Sequence, residues 1–268
     1  MRSICSFVAS CAATEPPTPT GMALPGLVLV HGGAHAADCW ELTVAELSRQ
    51  APELEVLAVD LPGRAGKPAD LTTVRIADWV NSVVADIEDA GLGDVVVVGH
   101  SMAGLTVPGV VAKLGAARVR EMILVAAFVP PQGSSVVDTL RGPLAPLARS
   151  VRWIRASFPM PDAAARFAFC NGMTREQREL ALSRLYLESP TVIFEPADRS
   201  DLPEEVPRTW VMTLRDRALS ARQQLDAMKS LGGVDTMICV DACHDVMYSE
   251  PRWLAATLAD RCRQRADS

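Results

Sequence analysis

The sequence predicts an α/β fold, a doubly wound and mostly parallel sheet with a helical cap inserted between two of its strands. Three observations carry this. Short β-branched runs are apolar at consecutive positions, the mark of strands covered on both faces. Between them lie longer segments with apolar residues three and four apart, the helical spacing. The alternation stops once, between Pro130 and Pro207, and strand–helix alternation interrupted in this way gives a wound sheet carrying an insertion.

Taken in order, residues 1–22 are rich in Ser, Ala, Thr and Pro and end in Glu15-Pro16-Pro17-Thr18-Pro19-Thr20-Gly21. They are expected to form a disordered tail or a weak signal-like segment, with Met22 as a possible true start. The core is expected over 23–129 and 207–268. Its strands are Gly26–Val30, Glu55–Val59, Val95–Val98, Met122–Ala127, Thr209–Leu214 and Thr236–Val240. Helices are expected at Trp40–Gln50, Ile76–Ala90, Met102–Leu114 and Ser220–Ser230, the last opened by the capping pair Ser220 and Gln223. Glu250-Pro251 opens a final helix, Arg252–Arg263, because proline is tolerated in a first turn. Residues 130–206 hold Trp153, Phe158, Phe167 and Phe169, and Thr174 with Gln177 caps a helix running to about Leu187. An aromatic insertion at the carboxyl end of a core strand reads as a lid over a pocket.

Composition narrows the function. With 268 residues, 49% hydrophobic and 22% charged, the chain can bury a sizeable core. A net charge of -6 argues against a nucleic-acid partner, which needs a dense basic face. The longest apolar runs, such as Met122–Val129, fall far short of the roughly 20 residues of a membrane span. Seven cysteines without a CxxC pair fit reduced thiols and a cytoplasmic protein. Export or lipid anchoring would follow if Arg2, the apolar stretch after it and Val8-Ala9-Ser10-Cys11 act as a signal. Cys239, Cys243 and His244 come nearest to a zinc set, but Cys239 reads as part of a buried strand, so no metal is expected.

The chemistry lies in three loops. Val95–Val98 followed by Gly99-His100-Ser101-Met102-Ala103-Gly104 has the layout of a nucleophile elbow, a strand turning sharply into a helix with a serine at the apex. Ala103 stands where a glycine is usual, two after the serine. Upstream, Leu27–Val30 ends in His31-Gly32-Gly33. A serine hydrolase needs two backbone amides aimed at the oxyanion, and here these are assigned to Gly33 and Met102. Of the four histidines, His31 and His100 belong to these loops, and His35 lies near the pocket mouth as a candidate substrate contact or, equally, a helix cap. His244, after the last strand, completes the order Ser, Asp, His as general base. Asp216, in the loop after Trp210–Leu214, is the acid, with Asp138 as the alternative. Gly32, Phe128 and Trp153 are further candidates for substrate binding.

These segments resemble the α/β-hydrolase superfamily, and within it the plant methyl esterase and hydroxynitrile lyase group with its bacterial relatives. The likeness rests on His31-Gly32-Gly33-Ala34-His35 with Trp40, on Val98–Gly104, on Val125–Pro130 and on Trp210–Leu219. It implies the α/β-hydrolase fold and the triad Ser101, Asp216 and His244. The lyases resemble one another in a lysine directly after the catalytic histidine and a hydroxyl residue after the first-loop histidine. Here Asp245 and Gly32 stand there, which favours a carboxylic ester hydrolase acting on a small-molecule ester without a cofactor. A lyase-like or polyketide/acyl-processing enzyme and a ligand-binding receptor are the alternatives.

Overall fold

The computed structural model describes residues 23–139, 157 and 159–266. The predicted tail at 1–22 and the aromatic positions Trp153 and Phe158 lie outside the described residues. The strands β1 (Gly26–Val30), β2 (Val56–Val59), β3 (Val95–His100), β4 (Val119–Val125), β5 (Arg208–Thr213) and β6 (Thr236–Val240) form one sheet in the order β2-β1-β3-β4-β5-β6, and every pairing is parallel. The helices are α1 (Glu41–Gln50), α2 (Ile76–Asp89), α3 (Val107–Leu114), α4 (Val136–Thr139), α5 (Asp162–Ala168), α6 (Arg175–Ser183), α7 (Ala221–Ser230), α8 (Val246–Ser249) and α9 (Pro251–Ala266). No helix among the described residues is long and apolar enough to cross a membrane.

Successive strand residues point to opposite faces, and both faces are covered. Val28, Val95, Val97, Met122 and Leu124 pack with α2, α3 and α7 on one side. Leu27, Leu29, Val96, Val98, Ile123 and Val125 pack with α1 and α9 on the other. The second cluster continues through Ala165, Phe169, Met173 and Ala181, so α5 and α6 rest on the core. The chain leaves β1 toward one face and, after β2, returns over the other before entering β3. The chain leaving β3 runs toward α3 on the face opposite to α1, so the loops after the paired carboxyl ends of β1 and β3 part, and such a switch point opens a crevice for a ligand.

Several boundaries differ from expectation for physical reasons. The strand expected at Met122–Ala127 starts at Val119 and stops at Val125. It stops because Ala126 takes φ +44, in the left-handed region. It starts early because Glu121 is wholly buried in the sheet and accepts hydrogen bonds from Arg261 (2.6 Å), Arg265 (3.0 Å) and the Thr209 hydroxyl. Removing one partner of a buried ion pair leaves the other uncompensated, so Glu121→Ala is expected to cost about 3–5 kcal/mol of unfolding free energy. Urea denaturation measures it, and a change below about 1 kcal/mol would show the pair to be dispensable.

The helix expected at Met102–Leu114 is split into a tight 3-10 turn at Ser101–Leu105 and α3, because Pro108 has no amide to donate and opens the α-helix afresh. α6 keeps its predicted capping box at Thr174 and Gln177 but ends at Ser183, because residues beyond it turn to bond the loop after β1. The Tyr186 amide donates to the Ala34 carbonyl at 2.9 Å. β6 is an edge strand with Met237 and Cys239 exposed, which corrects the expectation that Cys239 is buried.

Candidate active site

Five loops at the carboxyl ends of the strands converge. Ser101 follows β3 directly, is almost fully buried, and has φ +51. A left-handed conformation costs a non-glycine residue on the order of 1–2 kcal/mol. The fold holds it there, and the Phe128 amide donates to the Ser101 carbonyl at 2.8 Å. The close approaches around the turn fall on glycines. A Cβ on Gly32 would stand 2.8 Å from Ser101 Cβ, and one on Gly104 would stand 2.2 Å from the Phe128 carbonyl oxygen. The tight approach thus falls on Gly104, one position later than the usual site that Ala103 occupies.

Ser101, His244 and Asp216 are brought together. Ser101 Oγ lies 2.9 Å from His244 Nε2, and His244 Nδ1 lies 2.7 Å from Asp216 Oδ2. A carboxylate can only accept, so Nδ1 carries a proton and Nε2 offers its lone pair to the serine hydroxyl. Asp216 is also held by Thr213 Oγ1 on Oδ2 (2.9 Å) and by the Ala218 and Leu219 amides on Oδ1 (2.8 and 2.7 Å). Burial alone would lower the affinity of His244 for a proton. The charge and hydrogen bond of Asp216 outweigh it and hold the imidazole above its ordinary pKa. Asp138, the alternative acid, lies on α4, where the Ser135 amide and hydroxyl donate to it.

The other histidines hold the loops. His31 Nδ1 donates to the Gly32 carbonyl (2.9 Å) and its Nε2 accepts from the Leu61 amide (3.1 Å), with burial pushing its pKa well down. His100 Nε2 donates to the His244 carbonyl at 3.0 Å, and burial first, then His244, push its pKa down to about 3. Ligand-type atoms of His100, His244 and Asp245 lie within 4.8 Å of one another. Each nitrogen of His244 is already engaged by Asp216 or Ser101, so a metal there would have to break that chain.

An apolar cavity of about 260 Å³ opens onto Ser101 and His244. Gly33, Met102 and Phe128 border it as expected, together with Ala34, Val136, Val137, Met160, Phe169, Glu188, Ile193 and Ala218. Trp153 lies outside the described residues. Two expected substrate contacts are elsewhere. Gly32 packs against Ser101 and His100. His35 is 1% exposed, with Nδ1 on the Gly33 carbonyl (2.8 Å) and Nε2 on Asp245 Oδ2 (3.2 Å). Both ring nitrogens face acceptors, an arrangement that favours an imidazolium paired with the Asp245 carboxylate. Burial opposes both charges, but the pairing prevails, raising the pKa of His35 and lowering that of Asp245. The sequence argument that Asp245 would repel a departing anion is therefore corrected, since its charge is buried and neutralised by His35.

Sequence reasoning missed Gln224, wholly buried on α7. Its Nε2 donates to the carbonyls of Thr213 (3.0 Å) and Leu219 (2.9 Å), so it ties together both ends of the loop that carries Asp216. The available signal was its place on the core-facing stripe Ala221, Gln224, Ala227, Met228, where a polar side chain needs partners.

The sequence matches the model of the alpha/beta hydrolase family over residues 27–257. It is 26% identical over 255 residues to methylesterase 7 of Arabidopsis thaliana, covering 87% of this chain and 94% of that protein. It is 33% identical over 125 residues to a carbendazim hydrolyzing esterase of Nocardioides sp. (strain SG-4G), covering 46% and 50%. In fold it is similar to an extracellular alpha/beta-hydrolase from a Paenibacillus species, with a TM-score of 0.77 at 22% identity over 88% of this chain and 98% of that one. The family match runs from β1 into α9 and takes in the sheet and all the loops that meet at Ser101, and this chain belongs to the alpha/beta hydrolase family.

Proposed function

We propose that this protein is a serine carboxylic ester hydrolase acting on small or medium hydrophobic esters, with residues 130–206 as a cap over the site. The observation that carries this is the unbroken chain from Ser101 Oγ through His244 to Asp216, facing an apolar cavity. Its esterase relatives support the same reaction. Ser101 Oγ attacks the ester carbonyl while His244 Nε2 takes its proton. Asp216 fixes the tautomer and stabilises the imidazolium. The amides of Gly33 and Met102 receive the oxyanion. His244 then protonates the departing alkoxide and activates the water that releases the acyl group from Ser101. The apolar lining suits an aliphatic or aromatic acyl or alcohol group.

A fluorophosphonate tests this, because it phosphonylates only an activated serine. Mass-spectrometric mapping should place the label on Ser101. The labelling rate should rise with pH, because only neutral His244 accepts the serine proton. With the His244 pKa raised, the midpoint should lie above the ordinary imidazole value of about 6.5. Absence of label on Ser101, or a midpoint below that value, would remove His244 as an Asp216-coupled base.

A further inference from the structure

The segment after β2 sends Arg64 inward, and its side chain is fully buried. Arg64 Nη2 donates to Glu188 Oε1 and Oε2 (3.0 and 2.9 Å), Nε to the His35 carbonyl (2.8 Å) and Nη1 to the Leu187 carbonyl (2.8 Å). Glu188, itself buried, accepts from the Ala34 amide on Oε2 and from the Ser189 amide on Oε1, each at 2.6 Å. The carboxylate is thus saturated, although it borders the cavity beside Gly33. The Gly33–Ala34 peptide is gripped at both ends, its carbonyl by His35 and its amide by Glu188. The preceding peptide, which carries the Gly33 amide, is held through its carbonyl by His31. Ala34 has φ +57, a conformation that alanine keeps only when its surroundings over-determine it.

We propose that Arg64 and Glu188 are a positioning pair for the oxyanion-binding loop: Arg64 fixes the Glu188 carboxylate, and Glu188 holds the Ala34 amide so that Gly33 presents its own amide to the cavity. This rests on the ester hydrolysis through Ser101 proposed above. The pair joins three segments distant in sequence, and one of them lies within the chain between β4 and β5. A neutral side chain cannot replace Glu188. A glutamine has one accepting and one donating end, so either the Ala34 or the Ser189 amide would face an NH2 group. A lysine cannot replace Arg64, because a single ammonium lacks the planar fork that reaches Glu188, His35 and Leu187 together.

The test compares Glu188→Gln and Arg64→Lys with the wild-type chain. Loss of an oxyanion donor costs about 10²–10³-fold, and a displaced donor should cost less, about 10- to 100-fold in kcat/KM. Affinity for a trifluoromethyl ketone analogue, whose adduct with Ser101 carries the oxyanion, should fall by the same factor, while inhibition by the alcohol product, which has no oxyanion, stays within about twofold. Folded variants that keep kcat/KM and ketone affinity within about twofold overturn the proposal, as does an equal loss in product binding. A second readout needs no variant. In the wild-type chain, glycine and alanine isotope labelling selects two Gly–Ala amides, those of Ala34 and the exposed Ala116, and the Ala34 proton should be the one that resonates far downfield and exchanges slowly. An ordinary shift with fast exchange overturns the proposal even where neither variant folds. Failure of the wild-type chain to hydrolyse any ester or bind the ketone, with the Ala34 amide still bonded, would count instead against the hydrolase reading and take the positioning role with it.

Discussion

Ser101→Ala is expected to lower kcat on an aryl ester by at least about 10³-fold while leaving the fold intact. The cause is local. Alanine removes the one oxygen that His244 Nε2 faces at 2.9 Å, so no acyl-enzyme can form. Its Cβ takes the space and the backbone angles that serine had, and the Phe128 amide still has the carbonyl of residue 101 to bond. Stability should therefore move little, which circular dichroism and the thermal transition would show. Residual turnover should come from substrate held against the oxyanion-binding amides and attacked by water. Steady-state kinetics with a burst-phase check measures both effects. Turnover within tenfold of the wild type would mean that water, activated by His244, is the nucleophile.

Asp216→Asn should cost about 10⁴-fold in kcat, more than its size suggests. The reason is the direction in which the amide must lie. The Ala218 and Leu219 amides both donate to Oδ1, so the asparagine oxygen is held there and its NH2 group faces His244 Nδ1. Two donors cannot meet, so Nδ1 gives up its proton and Nε2 takes one. In that tautomer Nε2 has no lone pair for the serine. Substrate binding should persist, because Asp216 does not border the cavity. A loss smaller than about tenfold would show that His244 keeps its tautomer by other means and that the acid lies elsewhere.

The parts of this molecule that are local in sequence were readable there, and the distant pairs, apart from those that chain order pointed to, were not. Gly26–Val30 and Thr236–Val240 are strands over the residues expected, because apolar periodicity and turn residues act within a few positions. The turn at Ser101 was legible for the same reason, as a four-valine run meeting small residues. Chain order was enough to select Asp216 and His244, which do lie in contact. Burial at a sheet edge was not legible, so Cys239 was misplaced. Nor were the buried charges. Glu121 meets Arg261 across 140 residues, Arg64 meets Glu188 across 124, and His35 meets Asp245 across 210. A lone charged residue gives no sign in sequence that its partner waits on another loop. A histidine beside a pocket resembles a substrate contact until its second nitrogen is accounted for, and in His35 both are spent, on Gly33 and Asp245.

The bond from the Tyr186 amide to the Ala34 carbonyl and the seat of Glu188 beneath the Ala34 amide bear on how such a fold can be recombined. The stretch between β4 and β5 is the longest between strands, and the obvious one to exchange in a chimaera. In this chain Tyr186 and Glu188, within that stretch, also hold the Gly33–Ala34 loop. A transplant spliced before Tyr186 keeps the native Tyr186 and Glu188. One spliced after Ser189 replaces both, and needs a donor whose own residue in place of Glu188 suits Arg64. A graft meant to leave the Gly33–Ala34 loop untouched would therefore end by residue 185.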